Sequence, residues 1–160
     1  MGEEPEVEVV PIWLLDARVL GPILTRASSE AGDEARISRP DGEETMIYIV
    51  NKDDLPHSKI AHRFEGHRYG DVDVSFFLVD SPPGGGAVLH THPYQEIFIT
   101  LEGNATFTVG DDTIEVGAGQ IVVAPAGVPH KFVNSGDGPL RQVDIHPSGR
   151  IQQVNIPEDS

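Results

Sequence analysis

The residues equipped for chemistry sit in two short runs. The first is Gly84-Gly-Gly-Ala-Val-Leu-His90-Thr-His92-Pro-Tyr-Gln-Glu96, closing at Gly103. The second is Gly119-Gln-Ile-Val-Val-Ala-Pro125-Ala-Gly127-Val-Pro-His130-Lys-Phe-Val-Asn134. Alternate residues of a strand share a face, so His90 and His92 project to one side. Pro93, Tyr94 and Gln95 turn the chain, and Glu96 opens a run of β-formers, Ile97 to Leu101, read as the returning arm of a hairpin. Such a hairpin, closed apolar face inward, brings Glu96 back beside the two imidazoles. His130 begins another short strand after the Pro125-Ala-Gly127 turn, whose proline and glycine positions fit type I. Three neutral imidazoles and a carboxylate form an inner shell for one divalent transition metal per chain, with His90, His92, Glu96 and His130 as ligands. Octahedral geometry then leaves two adjacent positions for water, dioxygen or a bidentate substrate, the openness that separates a catalytic site from a structural one. Fe, Mn, Ni, Cu and Zn all suit the set, and affinity order alone does not choose among them. Nothing in the sequence points to an organic cofactor.

The elements that must position these residues read as short strands. Candidates are Met46–Val50, Ala61–Glu65, Val72–Val79, Ala105–Val109, Thr113–Val116, Ile121–Ala124, Leu140–His146 and Ile151–Ile156, separated by Gly, Pro and Asp turns. Gly110-Asp111 suits a type II′ hairpin turn. Many short strands with this punctuation predict an all-β chain. Alternation places Val88, Phe98 and Thr100 on the face of the metal ligands, with Phe107, Val109, Ile114, Val116 and Phe132 as further interior candidates and Val88, Phe98, Thr100, Phe107 and Phe132 as pocket walls. His146 ends its strand and is a candidate acid or base at the mouth; Tyr94, in the turn between ligands, is a second. His57, His62 and His67 lie among charged residues and read as surface groups, and Asp71 and Asp73 as solvent-facing.

The two runs resemble both cupin motifs, at Gly84, His90, His92, Glu96 and Gly103, then Gly119, Pro125, Gly127, His130 and Asn134. The resemblance covers the second half of the chain closely and barely touches residues 1–45. It implies a cupin-type double-stranded β-helix, a jelly-roll barrel over residues 46–156, with a partly ordered N-terminal extension over 1–45 and a tail over 157–160. It gives Asn134 a structural hydrogen-bonding role. It also suggests a homodimer in which N-terminal strands take part. Cupins that cleave dimethylsulfoniopropionate place a tyrosine two residues after the glutamate; here Phe98 stands there and cannot take a proton. No further carboxylate is assignable beside the metal, so an oxalate-decarboxylase role lacks its acid. The leading expectation is a dioxygenase-like enzyme acting on a small chelating substrate, as in quercetinase-like relatives. A redox-neutral lyase or isomerase, and a non-catalytic small-molecule binder, are the alternatives.

Composition narrows the rest. The chain has 160 residues, enough for one well-filled domain, and no cysteine, so disulfides and thiolate chemistry are absent. A formal net charge of −15 disfavours nucleic acid and anionic membranes as partners. The sequence shows no secretory pattern and no long apolar run, which predicts a cytoplasmic protein. Val9–Leu24 carries Trp13 among many aliphatic residues with no clean period, whereas Ala27–Glu44 is polar and reads as loop. Apolar side chains of the first stretch need a surface to bury against. Deleting residues 1–24 is therefore expected to split a dimer or expose apolar surface and cause aggregation, as followed by size-exclusion chromatography. A variant with an unchanged mass and melting temperature would show that the segment is dispensable.

Overall fold

The computed structural model describes residues 24–29, 32–38 and 44–157. Most of the apolar stretch Val9–Leu24 and the end of the tail lie outside the described residues. Three strands, β1 (Leu24–Ser29), β2 (Gly32–Ser38) and β3 (Glu44–Ile49), form an antiparallel sheet in that order. The expectation of a loop over Ala27–Glu44 is thus corrected, since β2 and the end of β1 fall within it. Backbone pairing sustains strands without an apolar period, and that period was the only signal the sequence offered.

Ten further strands follow: β4 (Ala61–Glu65), β5 (Ser75–Ser81), β6 (Gly86–Thr91), β7 (Glu96–Glu102), β8 (Asn104–Val109), β9 (Asp112–Gly117), β10 (Ile121–Ala124), β11 (His130–Asn134), β12 (Leu140–His146) and β13 (Val154–Asn155). They make two antiparallel five-stranded sheets, ordered β10-β7-β12-β5-β4 and β13-β6-β11-β8-β9. The chain is all-β, as its short punctuated strands predict. Among the described residues, no helix is long and apolar enough to cross a membrane.

The inner faces of the two sheets meet in a core of Val79, Phe98, Ala105, Phe107, Val116, Ala124, Phe132 and Leu140. Phe98 stands edge-on to Phe107 across the sheets, ring centroids 4.9 Å apart. Each such ring contributes about 1.5–3 kcal/mol by leaving water, and the edge-to-face pair roughly 0.5–1.5 kcal/mol more. Ile114 departs from the expected interior and is 43% exposed, on an edge strand that is flanked by β8 alone.

Turns set where the motif strands begin. Gly110 has φ 59° and Asp111 does not have positive φ, the pattern of a type II′ hairpin turn. The second-motif turn differs from type I. Val128 N–H donates to Pro125 O, so the closed turn runs one residue later, with Gly127 at φ 73° in the position that type II reserves for glycine. Asn134 behaves as expected: its Nδ2 donates to Ser81 O (2.8 Å) and Gly138 O (2.9 Å), and its Oδ1 accepts from Gly136 N–H.

Gly86 lies against β11 so closely that an added Cβ would stand 2.0 Å from Phe132 O. Gly86→Ala is therefore expected to push β6 off β11 and lower the melting temperature by about 4 °C or more. An unchanged melting curve would show that the two strands do not meet there.

Candidate metal centre

The ligand candidates come from three strands and one connection. His90 lies on β6, Glu96 opens β7 and His130 opens β11, while His92 follows β6 directly. All four side chains are buried, and one ligand atom from each lies within 4.8 Å of the others. Glu96 does not return on a hairpin, which corrects that expectation. β6 pairs with β11 and β13, whereas β7 pairs with β10 and β12 in the other sheet. The residues 93–95 cross between the sheets, and Glu96 faces the imidazoles from the opposite wall. His130 reaches His90 as a direct cross-strand neighbour on β6. The two motifs are also tied by a hydrogen bond from Gly127 N–H to His92 O (2.8 Å).

Each imidazole is oriented from behind. The Nδ1 of His90 faces Val88 O at 2.6 Å, that of His92 faces Gln152 O at 2.5 Å, and that of His130 faces Val128 O at 2.8 Å. A carbonyl only accepts, so each Nδ1 carries the hydrogen and each Nε2 presents a lone pair in the neutral ring. Those three Nε2 atoms converge on one oxygen, Glu96 Oε2, at 3.4, 3.0 and 2.8 Å for His90, His92 and His130. His92 Nε2 is buried and lacks a hydrogen-bond partner among the described residues. Lone pairs aimed at a carboxylate oxygen repel unless a proton or cation lies between them. The donor set therefore fits a divalent metal ion.

The electrostatics of the cluster point the same way. Burial alone would raise the Glu96 carboxyl, but interactions with His130, His146, His90 and His92 overcome it and hold it below the usual carboxylate range. Burial pulls the His92 imidazole down, while Glu96 and the Gln152 carbonyl pull harder and leave it raised. Both shifts show four rings competing for one negative charge, which a metal would satisfy at once.

The other expected site residues separate into distinct roles. His146 is fully buried instead of reaching the mouth. Its Nε2 lies 3.2 Å from Glu96 Oε1, the oxygen the three histidines leave free, and its ring stands edge-on to His92 at 4.7 Å. Tyr94 stacks on His92 at 5.2 Å and 7°, and its hydroxyl accepts from Gln152 N–H. It braces His92 through this stacking. Phe132 and Val88 line a cavity beside the cluster, but Val88 is 58% exposed at the rim. A β-bulge shifts the register of β6 against β11 between His130 and Phe132, so Ala87 takes the inward place opposite Phe132 that simple alternation gave to Val88. Phe98, Thr100 and Phe107 are buried in the core and do not line that cavity. His57 and His62 pair with each other across a bridge, and His67 Nδ1 faces Gly149 O, all apart from the cluster.

The sequence reading missed one carboxylate. Asp144 is buried on β12 and lines the same cavity as His90 and Glu96, correcting the expectation that no acid lies near the metal ligands. Burial pushes its carboxyl well above the usual range, the Glu96 charge adds to the rise, and the Gln142 amide opposes it. The signal was present in Leu140-Arg-Gln142-Val-Asp144-Ile-His146, where period-two alternation puts Gln142, Asp144 and His146 on one face with Leu140. That face is identified as the inner one once β12 is placed between β5 and β7, with Leu140 buried at its start.

Replacing a ligand should empty the centre without unfolding the sandwich. His92→Ala and Glu96→Gln are each expected to lower metal occupancy about ten-fold or more while the circular dichroism spectrum stays unchanged. Full metal retention in both variants, by elemental analysis, would contradict the ligand assignment.

Comparison with known proteins agrees with this architecture. Residues 77–146 match the family model described as a cupin domain. An uncharacterized protein of Methanocaldococcus jannaschii is 36% identical over 74 residues, covering 46% of this chain and 59% of that protein. Another, from Streptomyces coelicolor, is 44% identical over 65 residues, covering 41% and 60%. An auxin-binding protein of Prunus persica is 35% identical over 74 residues, covering 42% and 35%. The matches thus span less than two thirds of these relatives' length. Among solved structures, oxalate decarboxylase of Bacillus subtilis, studied for its Mn(II) centres, superposes with a TM-score of 0.57 at 23% identity, covering 64% of this chain and 29% of that one. A recombinant oxalate oxidase in complex with glycolate gives 0.58 at 21% identity, covering 67% and 62%. At such identities the likeness carries the fold. Two facing sheets, a buried His/His/Glu/His set and the matched segment lead to one assignment: residues 77–146 form a cupin domain.

Proposed function

We propose that this cupin is an enzyme that holds one divalent transition metal at His90, His92, Glu96 and His130 and acts on a small chelating organic substrate. The observation that carries the reading is a cavity of about 320 Å³ that shares His90 and Glu96 with the ligand cluster. It places a substrate-sized space directly against the donor atoms, which a purely structural metal site does not need. Four protein ligands leave coordination positions open in an octahedral ion, and a metal of this set supplies Lewis acidity and, for Fe, Mn, Ni or Cu, redox capacity. The surrounding residues do the rest. Phe77, Val79 and Phe132 give the cavity an apolar wall that excludes water, and the backbone-anchored imidazoles hold their donors without reorganisation.

Oxygen-dependent oxidation is the leading reaction. Solved structures of this fold include enzymes named for the oxidation and decarboxylation of oxalate, itself a small chelator. A redox-neutral lyase or isomerase reaction is the second reading, and a specific observation favours it: two further buried titratable side chains, Asp144 and His146, lie on the inner face beside the cluster. Protein loaded separately with Fe, Mn, Ni, Cu and Zn should be incubated with catechols, flavonols and small oxo and hydroxy acids in an oxygen electrode. Oxygen uptake matching substrate loss is the expected result. Substrate loss without uptake would replace oxidation with the redox-neutral reaction. Tight binding across the panel with no turnover on any metal would contradict the enzyme reading and leave a ligand carrier.

A further inference from the structure

The same cavity holds a polar group that the metal ligand set does not use. On β12, Asp144 pairs in register with Phe77 of β5 on one side and Phe98 of β7 on the other, so its carboxyl rises from an otherwise aromatic row. It is only 4% exposed, and the exposure it has is to the cavity. Gln142 Nε2 donates to Asp144 Oδ1 at 2.8 Å. Among the described residues, this is the one hydrogen bond the carboxyl takes part in. Gln142 is itself 1% exposed, with Oε1 buried and unpartnered, so the amide is committed to holding the acid. A buried carboxyl supported on one oxygen alone is costly unless something meets the other. Packing would be better served by an apolar residue, because Phe77, Val79 and Phe132 supply the neighbouring walls. The retained acid therefore points to a ligand.

We propose that Asp144, presented by Gln142, is a second recognition point for the substrate, sharing one hydrogen with a ligand oxygen while a neighbouring oxygen pair occupies the metal-binding end at His90 and Glu96. The substrate class that fits is a small chelator with three adjacent oxygens and an apolar, largely flat remainder that lies between Phe77 and Phe132. A molecule with the chelating pair alone would leave Asp144 unmet. The pairing works with the hydrogen on either partner, since a carboxylic acid donates to a carbonyl oxygen and a carboxylate accepts from a hydroxyl. This inference rests on the metal site of the proposed function, and it adds which chelators the site selects.

Catechol and pyrogallol test it, because they share a chelating pair and an aromatic body and differ by one adjacent hydroxyl. Full-length protein loaded with Mn²⁺ would be titrated with each under argon by calorimetry. The wild-type chain is expected to bind pyrogallol about ten-fold more tightly than catechol, the scale of one buried hydrogen bond to a charged or strongly polar group. Asp144→Ala is expected to abolish that preference while keeping metal stoichiometry and catechol affinity. Asp144→Asn, closest in shape, guards against a folding defect and is expected to reduce the preference without abolishing it, because a neutral amide makes a weaker hydrogen bond to the hydroxyl than a carboxyl group does. Equal binding of the two probes by wild type, or an undiminished preference in both variants, would overturn the proposal. If wild-type protein holds metal but binds neither probe, the substrate reading of the cavity fails and this inference falls with it. If it holds no metal, the failure lies in the ligand set.

Discussion

Three imidazole lone pairs and one carboxylate oxygen aimed at a single buried point form the constraint on which the rest of this domain depends. Backbone carbonyls behind His90, His92 and His130 fix the ring tautomers, so the convergence of Nε2 atoms is built into the main chain. Packing alone would not choose it. Burying an unpaired carboxylate costs several kcal/mol, and neutral imidazoles facing it with lone pairs return little of that. A cation at the centre turns each of those contacts from repulsive to bonding. The cluster is thus a site whose stability is conditional on what it binds, set beside an aromatic core that contains none of its four side chains.

The sandwich meets this demand by drawing the ligands from both sheets. β6 and β11 place His90 and His130 side by side, while β7 delivers Glu96 from across the core. His146 Nε2 lies 3.2 Å from the oxygen of Glu96 that the other histidines leave, while Oε2 faces the centre. Tyr94 and the residue 152 backbone lock His92 from outside. The donors are held by different elements of both sheets, so a metal ion would meet a rigid set of them. This arrangement suits chemistry better than a single mobile loop would.

Much of this was legible because strand periodicity and turn chemistry are local. β4, β10, β11 and β12 fall where their apolar patterns and flanking Gly and Pro residues put them, and the four ligand candidates come together as their spacing implies. What was hidden is non-local. The crossing of residues 93–95 from one sheet to the other leaves no mark distinct from a hairpin. The bulge that exchanges Val88 for Ala87 depends on pairing with β11. Asp144 looked like an ordinary strand residue because the face it shares with Leu140 is only known to be inward once both neighbours of β12 are placed. β1 and β2 were missed for the opposite reason, as strands whose pairing owes nothing to an apolar stripe.

The central claim is that the four converging side chains are metal ligands, and the most direct measurement is anomalous diffraction from crystals of protein prepared without chelator or nickel resin. Data collected on either side of each candidate absorption edge would locate and identify any bound ion. The account predicts one peak per chain, about 2.0–2.3 Å from the Nε2 atoms of His90, His92 and His130 and from an oxygen of Glu96. A metal found elsewhere, or a centre filled only by water and protons after loading with every candidate ion, would contradict it.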